Sequence, residues 1–170
     1  NGDLWMTQLG ESGWSKPINL GGQINTSGSE GSPQLAADGK TLYFKSNGHY
    51  GFGGYDVFVS KRLDESWSRW SEPKNLGKYI NTLENDEYLA IPSSGVKAYV
   101  NKSNLPDGYG GSDLYEFILP LDMRPEATIN VYGHIGDEMN KDVSAIIKYI
   151  DLSSGKEVAQ TQSNPDNGIY

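Results

Sequence analysis

The sequence predicts an all-β fold, four-stranded antiparallel β-propeller blades followed by the start of a small β-sandwich, and three observations predict it. Composition favours strands and turns, with 21 Gly, 11 Tyr and 4 Trp in 170 residues, and no stretch keeps an apolar 3.6-residue period long enough for a helix. The chain repeats itself at a fixed offset. Where the repeat stops, short alternating segments continue between turn signals.

The repeat is carried by three motifs in one order. Trp14-Ser15-Lys16-Pro17-Ile18-Asn19-Leu20-Gly21 returns as Trp70-Ser71-Glu72-Pro73-Lys74-Asn75-Leu76-Gly77, and Ile24-Asn25-Thr26 as Ile80-Asn81-Thr82. The offset is 56 residues from Trp14 to Trp70 and again from Asn25 to Asn81. A second motif, Gly54-Tyr55-Asp56-Val57-Phe58, is echoed by Gly2-Asp3-Leu4-Trp5 and by Gly111-Ser112-Asp113-Leu114-Tyr115. The third, Leu42-Tyr43-Phe44, matches Ala98-Tyr99-Val100.

Within one period the expected strands are 32–36, 41–45, 55–60 and 72–76, each short, aromatic or β-branched and bounded by turn formers. Asp38-Gly39 makes the tight hairpin between the first two, because glycine accepts positive φ at low cost. Four antiparallel strands per repeat is a propeller blade. The chain then holds two strands of one blade (residues 1–26), a complete blade (27–82) and most of a third (83–119). A propeller closes with about four blades or more, so others are expected from a longer chain or another copy.

The period ends near Leu119-Pro120-Leu121-Asp122, and Pro120 and Pro125 mark a junction, dividing the chain into 1–122 and 123–170. Beyond it Ile129, Val131, Gly133 and Ile135 alternate with polar residues. A strand over 143–150, a turn at 153–156, a strand over 157–161 and a turn at 164–168 complete the pattern of a half β-sandwich.

Charge and composition narrow the function. With 14 basic and 22 acidic residues the formal charge is −8, and no Lys/Arg cluster offers nucleic acid a footing. The absence of cysteine excludes a disulfide framework and thiol catalysis but leaves the compartment open. No apolar run approaches the roughly 18 residues of a membrane span. The chain opens inside a recurring motif and stops after a turn signal, as expected of a piece of a longer protein.

With these motifs in view, residues 1–119 resemble the WD40-like (TolB-type) propeller repeats of Bacteroidetes envelope proteins. Trp70 to Thr82, Ser32 to Phe44 and Gly53 to Phe58 carry the three family patterns in order. The third blade departs from them, with Ile91-Pro92-Ser93-Ser94-Gly95-Val96 at the hairpin where Asp-Gly is expected. The tail is similar to a carboxypeptidase regulatory-like domain through Val131-Tyr132-Gly133-His134-Ile135 and Pro165-Asp166-Asn167-Gly168-Ile169-Tyr170. This order resembles OmpA-family proteins, including peptidoglycan-anchored lipoproteins associated with type IX secretion. The resemblance implies a periplasmic, outer-membrane-associated protein whose partners are envelope proteins, with peptidoglycan bound through a domain outside this chain.

The candidate residues read first as structure. Asp3, Asp56 and Asp113 each follow a glycine motif and precede an aromatic strand, which suits a carboxylate capping turn N–H groups. Asp38-Gly39-Lys40-Thr41 is similar to the Asp-box hairpin of sialidases, but their chemistry needs an arginine cluster, and only Arg62, Arg69 and Arg124 are present. His49 and His134 lack companions at metal-ligand spacing. The acidic run Glu84-Asn85-Asp86-Glu87 lacks calcium-loop spacing and reads as a solvated loop, so no metal or cofactor is expected. Trp14 and Trp70 are placed in the gaps between blades, and Asn25 and Asn81 are read as structural positions of the repeat.

The binding candidates are Tyr50, Phe52 and Tyr109, set among glycines in the loops 48–54 and 106–111, where stacking on a partner and covering the gap between blades are both open. The expected function is a non-enzymatic scaffold for protein contacts. The alternative is a carbohydrate-binding or glycan-processing propeller, with a concave cluster of carboxylates and aromatics.

Overall fold

The computed structural model describes residues 2–10, 12–103, 108–129 and 131–170. The chain is all-β, a set of small antiparallel sheets none of which is closed. It divides into two compact units, residues 1–128 and 129–170.

The central sheet of the first unit holds β5 (Glu30–Leu35), β6 (Thr41–Ser46), β7 (Asp56–Lys61) and β8 (Lys74–Asn75) in sequential order. The four expected strands are all present, with shifted ends. β5 begins earlier and is broken where Ser32 takes a positive φ of 46° before Pro33, which cannot donate to a ladder. β8 is short because side chains replace the ladder upstream of it. Ser71 Oγ accepts from Lys61 N at 2.9 Å, and Ser60 Oγ donates to the Ser71 carbonyl at 2.6 Å.

Before this sheet, β1 (Trp5–Met6) pairs with β4 (Ile18–Asn19), and the short hairpin β2 (Leu9–Gly10) and β3 (Gly13–Trp14) lies between them in sequence. After it come β9 (Leu89–Ala90), β10 (Lys97–Ser103) and β11 (Ser112–Ile118). The hairpin that lacks Asp-Gly forms nonetheless. Gly95 has φ 65° and its N–H donates to Pro92 O at 2.9 Å, as Gly39, also at 65°, donates to Ala36 O at 3.0 Å. The positive-φ glycine is what the two turns have in common.

The sheets stack face to face through two apolar clusters. Leu4, Leu20 and Ile24 of the first pack against Leu42, Phe44, Phe58 and Trp70 of the second. On the second sheet's other face Tyr43, Val57, Val59, Leu76 and Ile80 meet Ile91, Ala98, Val100 and Leu119, with Tyr115 and Phe117 at the margin. β7 therefore buries both faces, the mark of a strand inside a stack.

The first unit ends later than the prolines suggest, because residues 123–126 are tied to it. Tyr43 Oη donates to the Met123 carbonyl at 2.7 Å, and Glu126 N donates to Asp38 Oδ2 at 2.9 Å. Burial, seconded by the charge of Asp38, pushes the Tyr43 phenol above its ordinary range.

In the second unit β12 (Ile146–Ile150) pairs with β13 (Glu157–Gln162). The segment around Val131 to Ile135 makes no strand there. It instead meets the chain end, Gly133 and Tyr170 exchanging backbone hydrogen bonds of 3.1 and 3.0 Å. The described apolar side chains of this unit stay largely exposed, Leu152 and Ile129 among them.

Candidate functional site

The repeated polar residues form one bracket in two copies. Asn81 Oδ1 accepts from Val57 N at 2.8 Å, and its Nδ2 donates to Val57 O at 2.9 Å and to Asn75 Oδ1 at 2.8 Å. Asn25 does the same with Leu4 N (2.8 Å), Leu4 O (3.0 Å) and Asn19 Oδ1 (3.0 Å). A side-chain amide here imitates a neighbouring strand, satisfying both backbone groups of one residue. The serines repeat too, for Gln8 N donates to Ser15 Oγ at 3.0 Å as Lys61 N does to Ser71 Oγ.

The repeated aspartates serve the glycine loops in two of their three positions. Asp56, 1% exposed, accepts through Oδ2 from Phe52 N at 2.7 Å and Gly53 N at 3.2 Å. Asp113 Oδ2 accepts from Tyr109 N at 3.0 Å. Asp3 instead receives the Asn19 side-chain amide at 3.3 Å. Gly51 packs so closely on the Asp56 carboxylate, and Gly53 on the Leu83 carbonyl, that no side chain fits at either.

Phe52 and Tyr109 are thus counterparts, each presented by a backbone N–H held by the aspartate of its repeat. Tyr109 is fully exposed, Tyr50 98% and Phe52 48%. Of the 106–111 loop, Pro106 and Asp107 lie outside the described residues. The two tyrosines present open aromatic faces suited to stacking, and neither is packed between sheets among the described residues.

The tryptophans part company. Trp70, 2% exposed, lies between sheets with its Nε1 donating to Trp67 O at 2.8 Å. Trp14 is 69% exposed, because the face it occupies has no further sheet against it among the described residues.

A buried carboxylate also recurs, marked in the sequence by its spacing alone. Glu30 accepts from Thr26 N (3.0 Å), Thr26 Oγ1 (2.7 Å) and Ser46 Oγ (2.7 Å). One repeat on, Asp86 accepts from Thr82 N at 2.5 Å and from Lys102 Nζ at 2.6 Å. Asp86 is therefore buried and not part of a solvated loop, although Glu84 beside it is exposed. Glu30 to Asp86 and Ser46 to Lys102 keep the 56-residue offset, which is the signal that could have found them.

His49 is packed against Phe44 and Phe58, with Nε2 3.0 Å from the Ile24 carbonyl, and His134 Nε2 lies 2.6 Å from Asp142 Oδ1. The arginines each have a different partner. Arg62 lies over Trp67 at 4.3 Å, Arg69 meets Asp64 at 3.1 Å, and Arg124 Nε donates to Leu119 O at 2.7 Å. Among the described residues no three His, Cys, Asp or Glu side chains converge to hold a metal ion.

No family model, curated protein or solved structure matches this chain.

Proposed function

We propose that the chain is built of β-propeller blades and serves as a scaffold for protein contacts in the bacterial envelope, on the periplasmic side of the outer membrane. The observation that carries this reading is a division of labour. The polar residues that recur from repeat to repeat spend their atoms bracketing strands and capping loops, while Tyr50 and Tyr109, at the loop tips, are left to solvent. The sequential four-stranded sheet, stacked on both faces, supports the blade assignment. The motifs shared with OmpA-family proteins support the location, a link to type IX secretion, and peptidoglycan anchoring by another domain of such proteins. The pairing of Gly133 with Tyr170 supports a carboxypeptidase regulatory-like tail.

The second reading is glycan binding, favoured by the same exposed aromatic faces. One experiment separates the two. A photo-cross-linking residue at position 50 or 109, in whole envelopes, should give discrete adducts with envelope proteins. Retention on a polysaccharide matrix that disappears in Tyr50→Ala and Tyr109→Ala, with no protein adducts, would turn the assignment to glycans.

A further inference from the structure

Two successive sheets carry matching rows of polar side chains that differ in charge. In the central sheet Ser46 of β6 stands opposite Glu30 of β5 on one side and Asp56 of β7 on the other, so all three share a face. One repeat on, the row is Asp86, Lys102 and Asp113. Lys102 of β10 stands opposite Asp113 of β11, and its ammonium lies 2.6 Å from Asp86 Oδ1. A hydroxyl thus occupies the position between two acids that an ammonium fills in the next copy.

That ammonium has two tasks, donating to the Ile80 carbonyl and balancing the buried Asp86 carboxylate. In the central sheet the first task falls to His49, whose Nε2 lies 3.0 Å from the Ile24 carbonyl. The second has no taker. Glu30 and Asp56 are both buried, and among the described residues neither is paired with a lysine or an arginine. Glu30 Oε1 accepts from two hydroxyls, but Oε2 accepts only from Thr26 N. Asp56 Oδ2 accepts from Phe52 N and Gly53 N, whereas its Oδ1 is buried with no hydrogen-bond partner among the described residues. A buried carboxylate oxygen left bare is costly unless a cation or a proton meets it.

The free positions belong to hard oxygens. Two carboxylates balance a divalent charge, and calcium accepts carboxylate, carbonyl and water oxygens in irregular arrays, whereas magnesium demands a near-ideal octahedron. The α-carbons of Glu30 and Asp56 are two strand spacings apart, about 10 Å, a gap that their side chains and one bridging ion with contacts of about 2.4 Å can close.

We propose that a calcium ion binds between Glu30 Oε2 and Asp56 Oδ1 and does for the central sheet what the Lys102 ammonium does for the next. Ser46 Oγ accepts from Gly48 N and His49 N, and Asp56 Oδ2 holds Phe52 N and Gly53 N. The ion therefore ties together both ends of the loop that presents Tyr50. The site is independent of the scaffold and glycan readings, because no exposed aromatic contributes to it.

The test is thermal unfolding of the full chain, freed of divalent ions with a chelator and then titrated with calcium chloride in potassium chloride buffer, followed by circular dichroism. Calcium should raise Tm saturably, by about 5 °C or more near saturation, and magnesium at the same concentration should do much less. Amide exchange at Gly48 to Gly53 should slow with calcium. Ser46→Lys, which copies the next repeat, should raise Tm without calcium and abolish the calcium response. Glu30→Gln and Asp56→Asn should abolish the response as well, while Glu84→Gln, at an exposed acid outside the row, should keep it. A chain indifferent to calcium overturns the proposal and assigns the balance to a proton or to His49. An equal rise with magnesium, or an undiminished calcium response in folded Glu30→Gln and Asp56→Asn chains, overturns it too, since either would mean diffuse screening of the net charge of −8. Failure here leaves the cross-linking test at positions 50 and 109 untouched, so the two readings fall separately.

Discussion

Residues 2–26 and residues 30–81 share the Trp-Ser and Ile-Asn-Thr motifs and make the same asparagine and serine hydrogen bonds, yet their matching aromatics live in opposite surroundings. Trp70 is 2% exposed and Trp14 69%; Phe58 is 2% exposed and Trp5 59%. The difference separates two kinds of information. Brackets such as Asn25 on Leu4 and Asn81 on Val57 are short-range and directional, so they form wherever the motif occurs. Burial is non-directional and needs a neighbouring sheet, which Trp70 has and which, among the described residues, Trp14 does not.

The sharpest way to break this comparison is to truncate both tryptophans. Trp70→Ala removes a packed side chain and leaves a cavity, and should cost about 4 kcal/mol. Trp14→Ala should change stability by no more than about 0.5 kcal/mol. Urea unfolding followed by far-ultraviolet circular dichroism measures both. Equal losses would mean that Trp14 is covered in solution.

The buried carboxylates give the next largest effect. Glu30 is held by neutral hydroxyls and an amide, whereas Asp86 is paired with Lys102, whose ammonium also donates to the Ile80 carbonyl. Lys102→Met strands a buried negative charge and should cost about 3 kcal/mol. Ser46→Ala removes one of three donors and should cost about 1 kcal/mol. Restoration of stability in Lys102→Met by a second change, Asp86→Leu, would tie the loss to the unpaired charge.

Asparagine brackets come third. Asn81→Ala leaves the N–H of the buried Val57 without its partner, while the Val57 carbonyl keeps Leu76 N at 3.1 Å, and should cost about 2 kcal/mol; Asn25→Ala, at a half-buried site, should cost about 1 kcal/mol. Amide hydrogen exchange at Val57 and Leu4 reads the same effect locally. Unchanged protection at Val57 in Asn81→Ala would show that the bracket is incidental.

Much of the first unit was legible because its strands announce themselves twice. The 56-residue offset, the Asp38-Gly39 turn and the alternation of apolar residues place β5 to β8 within a few residues. Strand ends were less legible, since β8 is cut short by Ser71, a side chain standing in for a ladder. The exposed Tyr50 and Tyr109 could be named from their glycine-rich settings. The pairing of Asp86 with Lys102 could not, because it depends on which sheet lies alongside. In the tail the alternation of Ile129, Val131, Gly133 and Ile135 predicts a strand, but Ile129 and Val131 are exposed, and Gly133 and Ile135 bond instead to Tyr170 and Gly168.

The two hairpins of the repeat provide the finest comparison, Asp38-Gly39 against Ser94-Gly95. Burial works to raise the Asp38 pKa, but hydrogen bonds from Thr41 Oγ1 and from the backbone of Thr41, Lys40 and Glu126 prevail and hold it below its ordinary value. A carboxyl depressed in the folded state contributes stability that is present above its unfolded pKa, near 4, and is lost as pH falls through the folded value. Asp38→Ser, which copies the other hairpin, removes that dependence while leaving Gly39 to make the turn. Stability measured from pH 7 down to pH 2 should therefore fall less steeply below pH about 4 in the variant than in the parent chain. Parallel curves would mean that the glycine alone sets this turn in both repeats and that the aspartate adds nothing the serine lacks.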